Sequence, residues 1–483
     1  MFMFIKVGLI LTAILFMSLT AFAQGQNERQ QFIRVDSPVV ALTHVRVVDG
    51  TGAAAIDDQT IVISGGKIQS VGPAASTKTP ADAKVLDMTG YTVMPGLVGM
   101  HDHMFFPMGG TPPIYSDMGI SFPRLYLALG VTTIRTTGSV APYTDLEIRR
   151  RIDAGQMVGP KIHVTAPYLE GKGAYTPVMH ELTGADDARR MVNFWAEEGA
   201  TSFKAYMNIT RDELRAVVEE AHKRGMKVTG HLCSVTFREA AEIGIDDLEH
   251  GLFPASDFVT NKQPDVCPAG GAINQAMATL DINGQAVQDL IKTLVSKNVA
   301  LTSTLPVFEA NAPVAQNGIG AARAILNQRM LNTMGNDARV RYLTSRSRVS
   351  ATSNYATLVR KSMDFERAFS KAGGLLIAGL DPTGNGGIVA GFGDQREVEL
   401  LVEAGFTPVE AIKIATWNGA KFLGEDARIG SLAAGKQADL MVVKGDPSKN
   451  INDIENVELV FKDGVGYDSE KIIQSVQGLV GIR

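Results

Sequence analysis

The sequence has no excess of positive charge, few cysteines and, after residue 23, no long hydrophobic run. Its net charge is −5, which excludes the basic surface field expected of a nucleic-acid-binding protein. It also contains no Gly-x-Ser-x-Gly motif, so the serine nucleophile of that motif is absent, and it has no internal repeat or low-complexity tract. A hydrophobic content of 45% in 483 residues predicts a soluble globular protein with one large α/β domain and a smaller one.

The first 23 residues predict an export signal. Lys6 supplies a positive charge, residues 7–16 form an apolar stretch, and Ala21-Phe22-Ala23 precedes Gln24 as a cleavage site. An uncleaved membrane anchor is the alternative, but the apolar stretch is shorter than the roughly 20 residues that a spanning helix needs. We therefore expect a mature protein, without a membrane span, in the periplasm or outside the cell.

The two cysteines leave one structural question open. Cys233 follows a candidate metal ligand by two residues, and Cys267 lies in a loop rich in proline and glycine. An oxidising destination permits a disulfide between them, whereas two free thiols are the plain alternative, since sequence does not give the distance between the two residues.

Short β-branched runs separated by turns occupy both ends of the chain. They lie between residues 39 and 85, and the same pattern returns between residues 430 and 464. We expect residues 24–90 and 429–483 to build one small β-sandwich domain together.

Between these ends, apolar strand candidates alternate with helical patterns. The helix after Thr210 illustrates the alternation, because Thr210 and Glu213 have the spacing of a capping box. Besides the segment that ends at His101, the strand candidates are residues 131–136, 161–166, 202–207, 227–232, 247–252, 300–305 and 375–380. Eight such units predict a (β/α)8 TIM-like barrel over residues 91–428, with its chemistry at the carboxyl ends of the strands.

The most informative motif is His101-Asp102-His103, which ends the apolar run from Val93. Residues i and i+2 of an extended strand point to the same side, so the two imidazoles can reach one metal ion. Further candidate ligands follow near the ends of later strand candidates: Lys204, His231, His250 and Asp381. Lys204 lies in a buried-strand pattern, where an unpaired lysine is costly, although a surface position is the alternative. Asp381 either binds a metal or shapes the turn at Asp381-Pro382.

These motifs, with Pro95-Gly96-Leu97-Val98 before the histidine pair, resemble the metal-dependent amidohydrolase superfamily over almost the whole mature chain. The nearest resemblance is to the imidazolonepropionase-like branch, which includes Xaa-Pro dipeptidases, and it implies two divalent ions, most simply zinc. His101 and His103 would hold the more buried ion and His231 and His250 the more exposed one. Lys204, carbamylated by carbon dioxide, would bridge both, because a carbamate offers two anionic oxygens where an ammonium offers none.

The resemblance implies amide hydrolysis in which a hydroxide shared by the two metals attacks the carbonyl and Asp381 shuttles the proton. The substrates it implies are dipeptides or N-acyl amino acids, and related enzymes often form homo-oligomers. Tyr206 shares a strand face with Lys204 and either directs its hydroxyl at the developing oxyanion or packs in the core. Related sequences often have Arg-Asp-x-Gly where this chain reads Arg135-Thr136-Thr137-Gly138. Of the properties that the resemblance implies, substrate specificity is therefore the least transferable to this chain.

Two alternatives remain. A mononuclear cyclic-amide hydrolase or deaminase would have the same barrel without a bridging lysine, and Lys204 argues against it. A non-catalytic barrel that acts as a binding or assembly protein would be expected to lose ligands, whereas all six candidates are present.

Overall fold

The computed structural model describes residues 28–110, 112–313 and 324–482. The export signal predicted for residues 1–23 lies outside the described residues and stays a prediction. Within the described ranges, no helix combines the length and the apolar character needed to cross a membrane.

The chain is an α/β protein. In chain order its strands are β1 (Ile33–Val35), β2 (Val39–Val47), β3 (Ile56–Ser64), β4 (Lys67–Pro73), β5 (Lys84–Asp87), β6 (Tyr91–Pro95), β7 (Leu97–Asp102), β8 (Phe105–Gly109), β9 (Ile114–Asp117), β10 (Val131–Thr136), β11 (Lys161–Val164), β12 (Leu169–Glu170), β13 (His180–Glu181), β14 (Ser202–Ala205), β15 (Lys227–Gly230), β16 (Asp247–Glu249), β17 (Ala300–Ser303), β18 (Leu376–Ala378), β19 (Leu440–Lys444), β20 (Val457–Lys462) and β21 (Val465–Asp468).

The α-helices are α1 (28–30), α2 (Ser121–Ala128), α3 (Pro142–Asp153), α4 (Ala185–Glu198), α5 (Arg211–Lys223), α6 (Phe237–Ile243), α7 (Ala272–Thr279), α8 (Gln285–Ser296), α9 (Leu305–Glu309), α10 (Ala324–Thr333), α11 (Asn336–Ser347), α12 (Tyr355–Lys371), α13 (Phe392–Glu403), α14 (Pro408–Lys413), α15 (Gly419–Leu423) and α16 (Ser469–Gln474). Short 3-10 turns lie at Ser256–Phe258 and Ile451–Glu455, and a π-helical turn lies at Ile414–Asn418.

A nine-stranded sheet combines strands from both ends of the chain. Its order is β1-β21-β20-β19-β6-β2-β3-β4, with β5 paired to β2, and antiparallel pairing of β19 with β6 joins the two chain ends. One face buries alternating apolar side chains, including Val40, Leu42, Leu440 and Phe461. The described strands pair into one continuous sheet without a division into two layers, so the predicted β-sandwich domain stays a prediction.

Parallel strands form the middle of the chain in two sheets. The first has the order β11-β10-β7 and the second the order β13-β12-β14-β15-β16-β17-β18. Main-chain hydrogen bonds link the two sheets at both edges. The amide of Ala166 donates to the Ser202 carbonyl (3.0 Å), and the amide of Asp381 donates to the His101 carbonyl (2.9 Å). The carboxyl ends of eight parallel strands therefore share one side of the molecule.

The strand candidates from the sequence correspond to β7, β10, β11 and β14 to β18. The predicted capping box is also present, because the Thr210 hydroxyl accepts from the Glu213 amide and the Glu213 carboxylate accepts from the Thr210 amide. Several strands end earlier than predicted. His231 and His250 consequently lie just past the ends of β15 and β16, whereas Asp381 follows β18, as it follows the predicted strand of residues 375–380.

Cys233 and Cys267 form a disulfide, with their Cα atoms 4.9 Å apart. The bond ties the loop that carries Cys267 to the segment after β15, close to His231. A bidentate contact between Arg211 and Asp265 holds the same loop, with N–O distances of 2.9 Å. The alternative of two free thiols is therefore not what the structure has.

Removing this disulfide is expected to lower the free energy of unfolding. A cross-link that spans 34 residues is worth about 3–4 kcal/mol in the chain-entropy model. Urea denaturation of the Cys233→Ser/Cys267→Ser double variant against the parent protein measures the loss. Unreduced parent protein should not react with a thiol reagent, and two reactive thiols per unfolded chain would contradict the bond.

Candidate metal centre

His101 and His103 form the base of a buried cavity at the carboxyl end of β7. The Glu249 carboxylate accepts a hydrogen bond from Nδ1 of His101 (2.7 Å), and the Gly138 carbonyl accepts one from Nδ1 of His103 (3.1 Å). Because a carboxylate and a carbonyl only accept, each Nδ1 carries the proton and each Nε2 keeps a lone pair. Oδ2 of Asp381 lies 3.8 Å from Nε2 of His101, and Oδ1 of Asp381 lies 3.7 Å from Nε2 of His103.

Lys204 lies against these histidines. It is 1% exposed on β14, and its Nζ is 3.3 Å from Nε2 of His101. Burial lowers its pKa to about 8, an effect that the carboxylates of Glu249 and Asp381 only partly oppose. The surface position considered from the sequence is therefore excluded, and the amine is far easier to neutralise than an ordinary lysine.

His231 and His250 complete a group of four neighbouring imidazoles. The ring centroid of His250 lies 4.4 Å from that of His101 and 4.4 Å from that of His231. Nδ1 of His250 forms a hydrogen bond with the Thr304 hydroxyl (2.8 Å). Burial is the largest cause that lowers the pKa of all four rings, to about 3 for His231 and far below the usual range for the others. All four are therefore neutral, which is the form that binds a metal.

The six candidates line one cavity but are not equally close together. His101, His103 and Asp381 offer ligand atoms within 4.8 Å of one another. His231 and His250 are not part of this group, although Nδ1 of His250 lies 3.9 Å from Oδ2 of Asp381. Both His250 (φ +72°) and Asp381 (φ +51°) adopt the left-handed conformation, which turns the chain sharply where each strand ends.

Residues 92–465 match the model of the amidohydrolase family. The chain belongs to this family. Amidohydrolases are hydrolases that act on C–N bonds of small molecules, generally with divalent metals, and this chain is a hydrolase of that family. The residues present fit such ions, because neutral imidazoles and a carboxylate converge on one buried cavity.

Solved amidohydrolase structures share this fold. A Xaa-Pro dipeptidase with bound methionine in its active site has a TM-score of 0.65 at 20% identity, covering 89% of this chain and 100% of that chain. The bottromycin amidohydrolase has a TM-score of 0.68 at 19% identity, covering 95% of this chain and 93% of that chain. A protein from Bifidobacterium longum, described provisionally as a prolidase, has a TM-score of 0.64 at 26% identity, covering 91% of this chain and 99% of that chain. These neighbours imply a TIM barrel for this amidohydrolase.

Curated relatives match shorter stretches. An adenine deaminase from Chelativorans sp. (strain BNC1) is 28% identical over 232 residues, which are 44% of this chain and 36% of that protein. An N-substituted formamide deformylase from Arthrobacter pascens is 40% identical over 63 residues, which are 13% of this chain and 11% of that protein. The matched region thus spans 36% of the deaminase and 11% of the deformylase.

Sequence reasoning missed the charged pair beneath the histidines of this amidohydrolase. Arg135 and Glu249 are both buried, and the Arg135 guanidinium donates to Glu249 (3.0 Å), to Asp247 (3.2 Å) and to the Met100 carbonyl (2.8 Å). Glu249 in turn holds His101. The signal that was available is a charged residue inside a buried strand, Leu248-Glu249-His250, where a charge needs a partner.

Proposed function

We propose that this amidohydrolase is a binuclear enzyme that hydrolyses amide bonds of dipeptides or N-acyl amino acids. The observation that carries the proposal is the convergence of four neutral histidines, Lys204 and Asp381 on one buried cavity. His101, His103 and Asp381 would hold one zinc ion, and His231 and His250 the other, with carbamylated Lys204 bridging. When bound, the ions supply Lewis acidity that activates water and polarises the scissile carbonyl.

The lowered pKa of Lys204 supports its modification, because only a neutral amine adds to carbon dioxide. Asp381 is suited to move a proton, since burial raises the pKa of its carboxyl to about 6. In this role Asp381 takes a proton from the attacking water and gives it to the leaving amine, so no other acid is required.

The test is metal content measured together with activity. Zinc-loaded mature protein should contain two ions per chain when fully active, and it should release amino acids from a dipeptide and N-acyl amino acid library. Full activity at one ion per chain would overturn the binuclear proposal and favour the mononuclear alternative. That alternative draws support from the grouping of His101, His103 and Asp381 within 4.8 Å, which, among the histidines and carboxylates of the described residues, includes neither His231 nor His250.

Tyr206 is proposed to donate a hydrogen bond to the developing oxyanion. It follows β14 directly, its ring centroid lies 5.0 Å from that of His231, and burial raises the pKa of its hydroxyl far above the usual range. The hydroxyl therefore keeps its proton for donation.

The Tyr206→Phe variant is expected to lower kcat by about 10²-fold with KM and zinc content nearly unchanged, as for other lost oxyanion donors. Steady-state kinetics and metal analysis measure both quantities. Tyr143→Phe, at an exposed helix position, is the control. A kcat equal to that of the parent would leave Tyr206 with a packing role only.

We also propose that β7, β10, β11 and β14 to β18 close into a barrel over residues 91–428, with residues 24–90 and 429–483 as the β-domain. The main-chain hydrogen bonds at both sheet edges support closure. Export to the periplasm or medium, with cleavage after Ala23, is the matching proposal for the N-terminus. N-terminal sequencing of the exported protein should then begin at Gln24.

A further inference from the structure

Tyr175 stands between the cavity of the metal centre and solvent. Its side chain lines the cavity and yet the residue is 38% exposed, whereas the other described residues that line the cavity are buried or half-buried. The ring centroids of Tyr175 and Tyr206 are 6.0 Å apart, and Tyr206 contacts His231. A molecule that enters from this side therefore passes Tyr175 before it reaches a candidate metal ligand.

The cavity beneath this ring is small. Its volume is about 70 Å³, whereas pockets that bind small-molecule ligands usually measure about 300–1,000 Å³. Ions and a few water molecules fit such a space, but a whole dipeptide does not. The cavity therefore has to widen before a substrate of the proposed class can bind.

Both ends of the loop that carries Tyr175 are fixed. We call residues 171–179 the roof loop, which joins the paired parallel strands β12 and β13. The Glu181 carboxylate accepts hydrogen bonds from the amides of Gly173 and Ala174, both at 2.8 Å. At the other end of the roof loop, Met179 is buried in an aromatic cluster. The roof loop can therefore not swing away from the cavity as a whole.

Two hydrogen bonds join the middle of the roof loop to β9 and to the residue before it. The hydroxyls of Tyr115 and Tyr175 are hydrogen-bonded at 2.7 Å, and the Thr176 hydroxyl donates to the Pro113 carbonyl (3.3 Å). Each such bond contributes little net stability, because water replaces the lost partner when the two groups separate. The middle of the roof loop can therefore rise while its ends stay in place.

We infer that Tyr175 determines the length of the substrates that this amidohydrolase accepts. The hydrogen bond to Tyr115 opens to admit a substrate, and the fixed ends of the roof loop limit how far the ring rises. Amides of dipeptide size then fit beneath the ring, whereas a longer peptide collides with it. This inference rests on the proposed hydrolysis of dipeptides and N-acyl amino acids, and it names the residue that restricts the reaction to substrates of that size.

Acylation of the metal-free protein by diethyl pyrocarbonate tests the roof without any hydrolysis. This reagent acylates neutral imidazoles and has to pass Tyr175 to reach His231 or His250. Tyr175→Ala should speed acylation of both by roughly tenfold or more, and Tyr115→Phe, which removes one hydrogen bond, by roughly 2- to 12-fold. His222, with a side chain 42% exposed, should react equally in all three proteins. Mass spectrometry of peptides follows each histidine, and equal His231 and His250 rates in the parent and Tyr175→Ala would overturn the inference.

Peptides that differ only in length test the selectivity itself. The dipeptide that the zinc-loaded parent protein cleaves fastest is compared with two tripeptides, extended by one alanine at either end, and cleavage of the same bond is followed. In the parent, kcat/KM for the dipeptide should exceed that for each tripeptide by roughly tenfold or more, and Tyr175→Ala should reduce this ratio to below about threefold. Tyr175→Phe keeps the ring and should keep the ratio. Equal parent values for the dipeptide and the tripeptides, or a ratio that survives Tyr175→Ala, would overturn the inference.

A control variant and the acylation rates separate this inference from the proposed function. Tyr143→Ala removes an exposed tyrosine ring outside the cavity and should change neither the acylation rates nor the length ratio. Circular dichroism verifies that each variant is folded. If the parent cleaves no amide but Tyr175→Ala opens the cavity histidines to the reagent, the proposed function fails and the roof stands. If the parent cleaves dipeptides and tripeptides equally well, the inference fails alone.

Discussion

Replacing Lys204 with alanine is expected to lower kcat/KM for amide hydrolysis by at least ~10³-fold, a loss of about 4 kcal/mol of transition-state stabilisation. The amine is buried beside His101, and its carbamate is the proposed bridge between the two ions. Without the bridge, zinc content should fall from two ions per chain to one or fewer. Mass spectrometric metal analysis and steady-state kinetics measure both changes.

Lys227 offers a matched control on the adjacent strand. Its backbone pairs in register with Ser202 of β14, but its side chain is about half exposed and contacts Asp246. Lys227→Ala should leave metal content and hydrolysis unchanged. Parent protein exposed to ¹³C-bicarbonate should give a carbamate signal in ¹³C NMR that Lys204→Ala lacks. Undiminished hydrolysis by Lys204→Ala would refute the proposed mechanism.

The stability of the metal-free protein, kept free of carbon dioxide, tests the same lysine in another way. The pKa of Lys204 is about 8 in the folded protein and about 10.4 in an unfolded chain. Between these values the unfolded chain binds more protons, so this residue makes folding stability rise as the pH increases from 8 to 10. Urea denaturation should show a smaller rise for Lys204→Ala. Parallel curves for the two proteins would mean that the amine is not destabilised by burial.

Much of the fold could be predicted from sequence because buried parallel strands leave a direct record. Runs such as Val131–Thr136 are rich in β-branched residues and buried throughout, and they alternate with amphipathic segments that carry their own caps, as at Thr210. Alternating patterns also predict β-strands at both chain ends. They do not specify which strands pair, so the single hydrogen-bonded sheet that these strands form could not be predicted.

The candidate ligands were found because their residue types are rare inside strands, whereas the cavity walls were not found. Residues 253–283 and 306–339 are longer than the usual strand-to-helix connections of about 2–6 residues, and their length alone predicts that they wall the site. The cavity is instead lined by Phe105, Tyr115, Tyr168 and Tyr175, from the hairpin after β7 and the segment around β12. These tyrosines have no fixed spacing in sequence. The two loops meet through the Tyr115–Tyr175 hydrogen bond, a hydrogen bond from the Thr176 hydroxyl to the Pro113 carbonyl (3.3 Å) and the packing around them.

Glu249 tests whether the charged pair beneath the histidines positions the metal ligands. Its carboxylate orients His101 through Nδ1 and balances Arg135, and both side chains are fully buried. Glu249→Gln keeps the volume and an oxygen that accepts from His101, but it removes the charge. We expect zinc affinity to fall by about 10- to 100-fold, as for other residues that orient a metal-binding histidine.

Glu249→Ala removes both functions and should be the more damaging change. Among the described residues, the Arg135 cation then forms an ion pair with Asp247 alone, and loss of one member of a buried ion pair costs about 3–5 kcal/mol. Urea denaturation of the metal-free protein and zinc titration measure the two effects separately. Glu213→Gln is the control, because this buried carboxylate caps α5 through Thr210 and its removal should lower stability while zinc affinity stays unchanged. If Glu249→Gln binds zinc as tightly as the parent protein, orientation of His101 must come from its backbone and packing, and the carboxylate serves Arg135 alone.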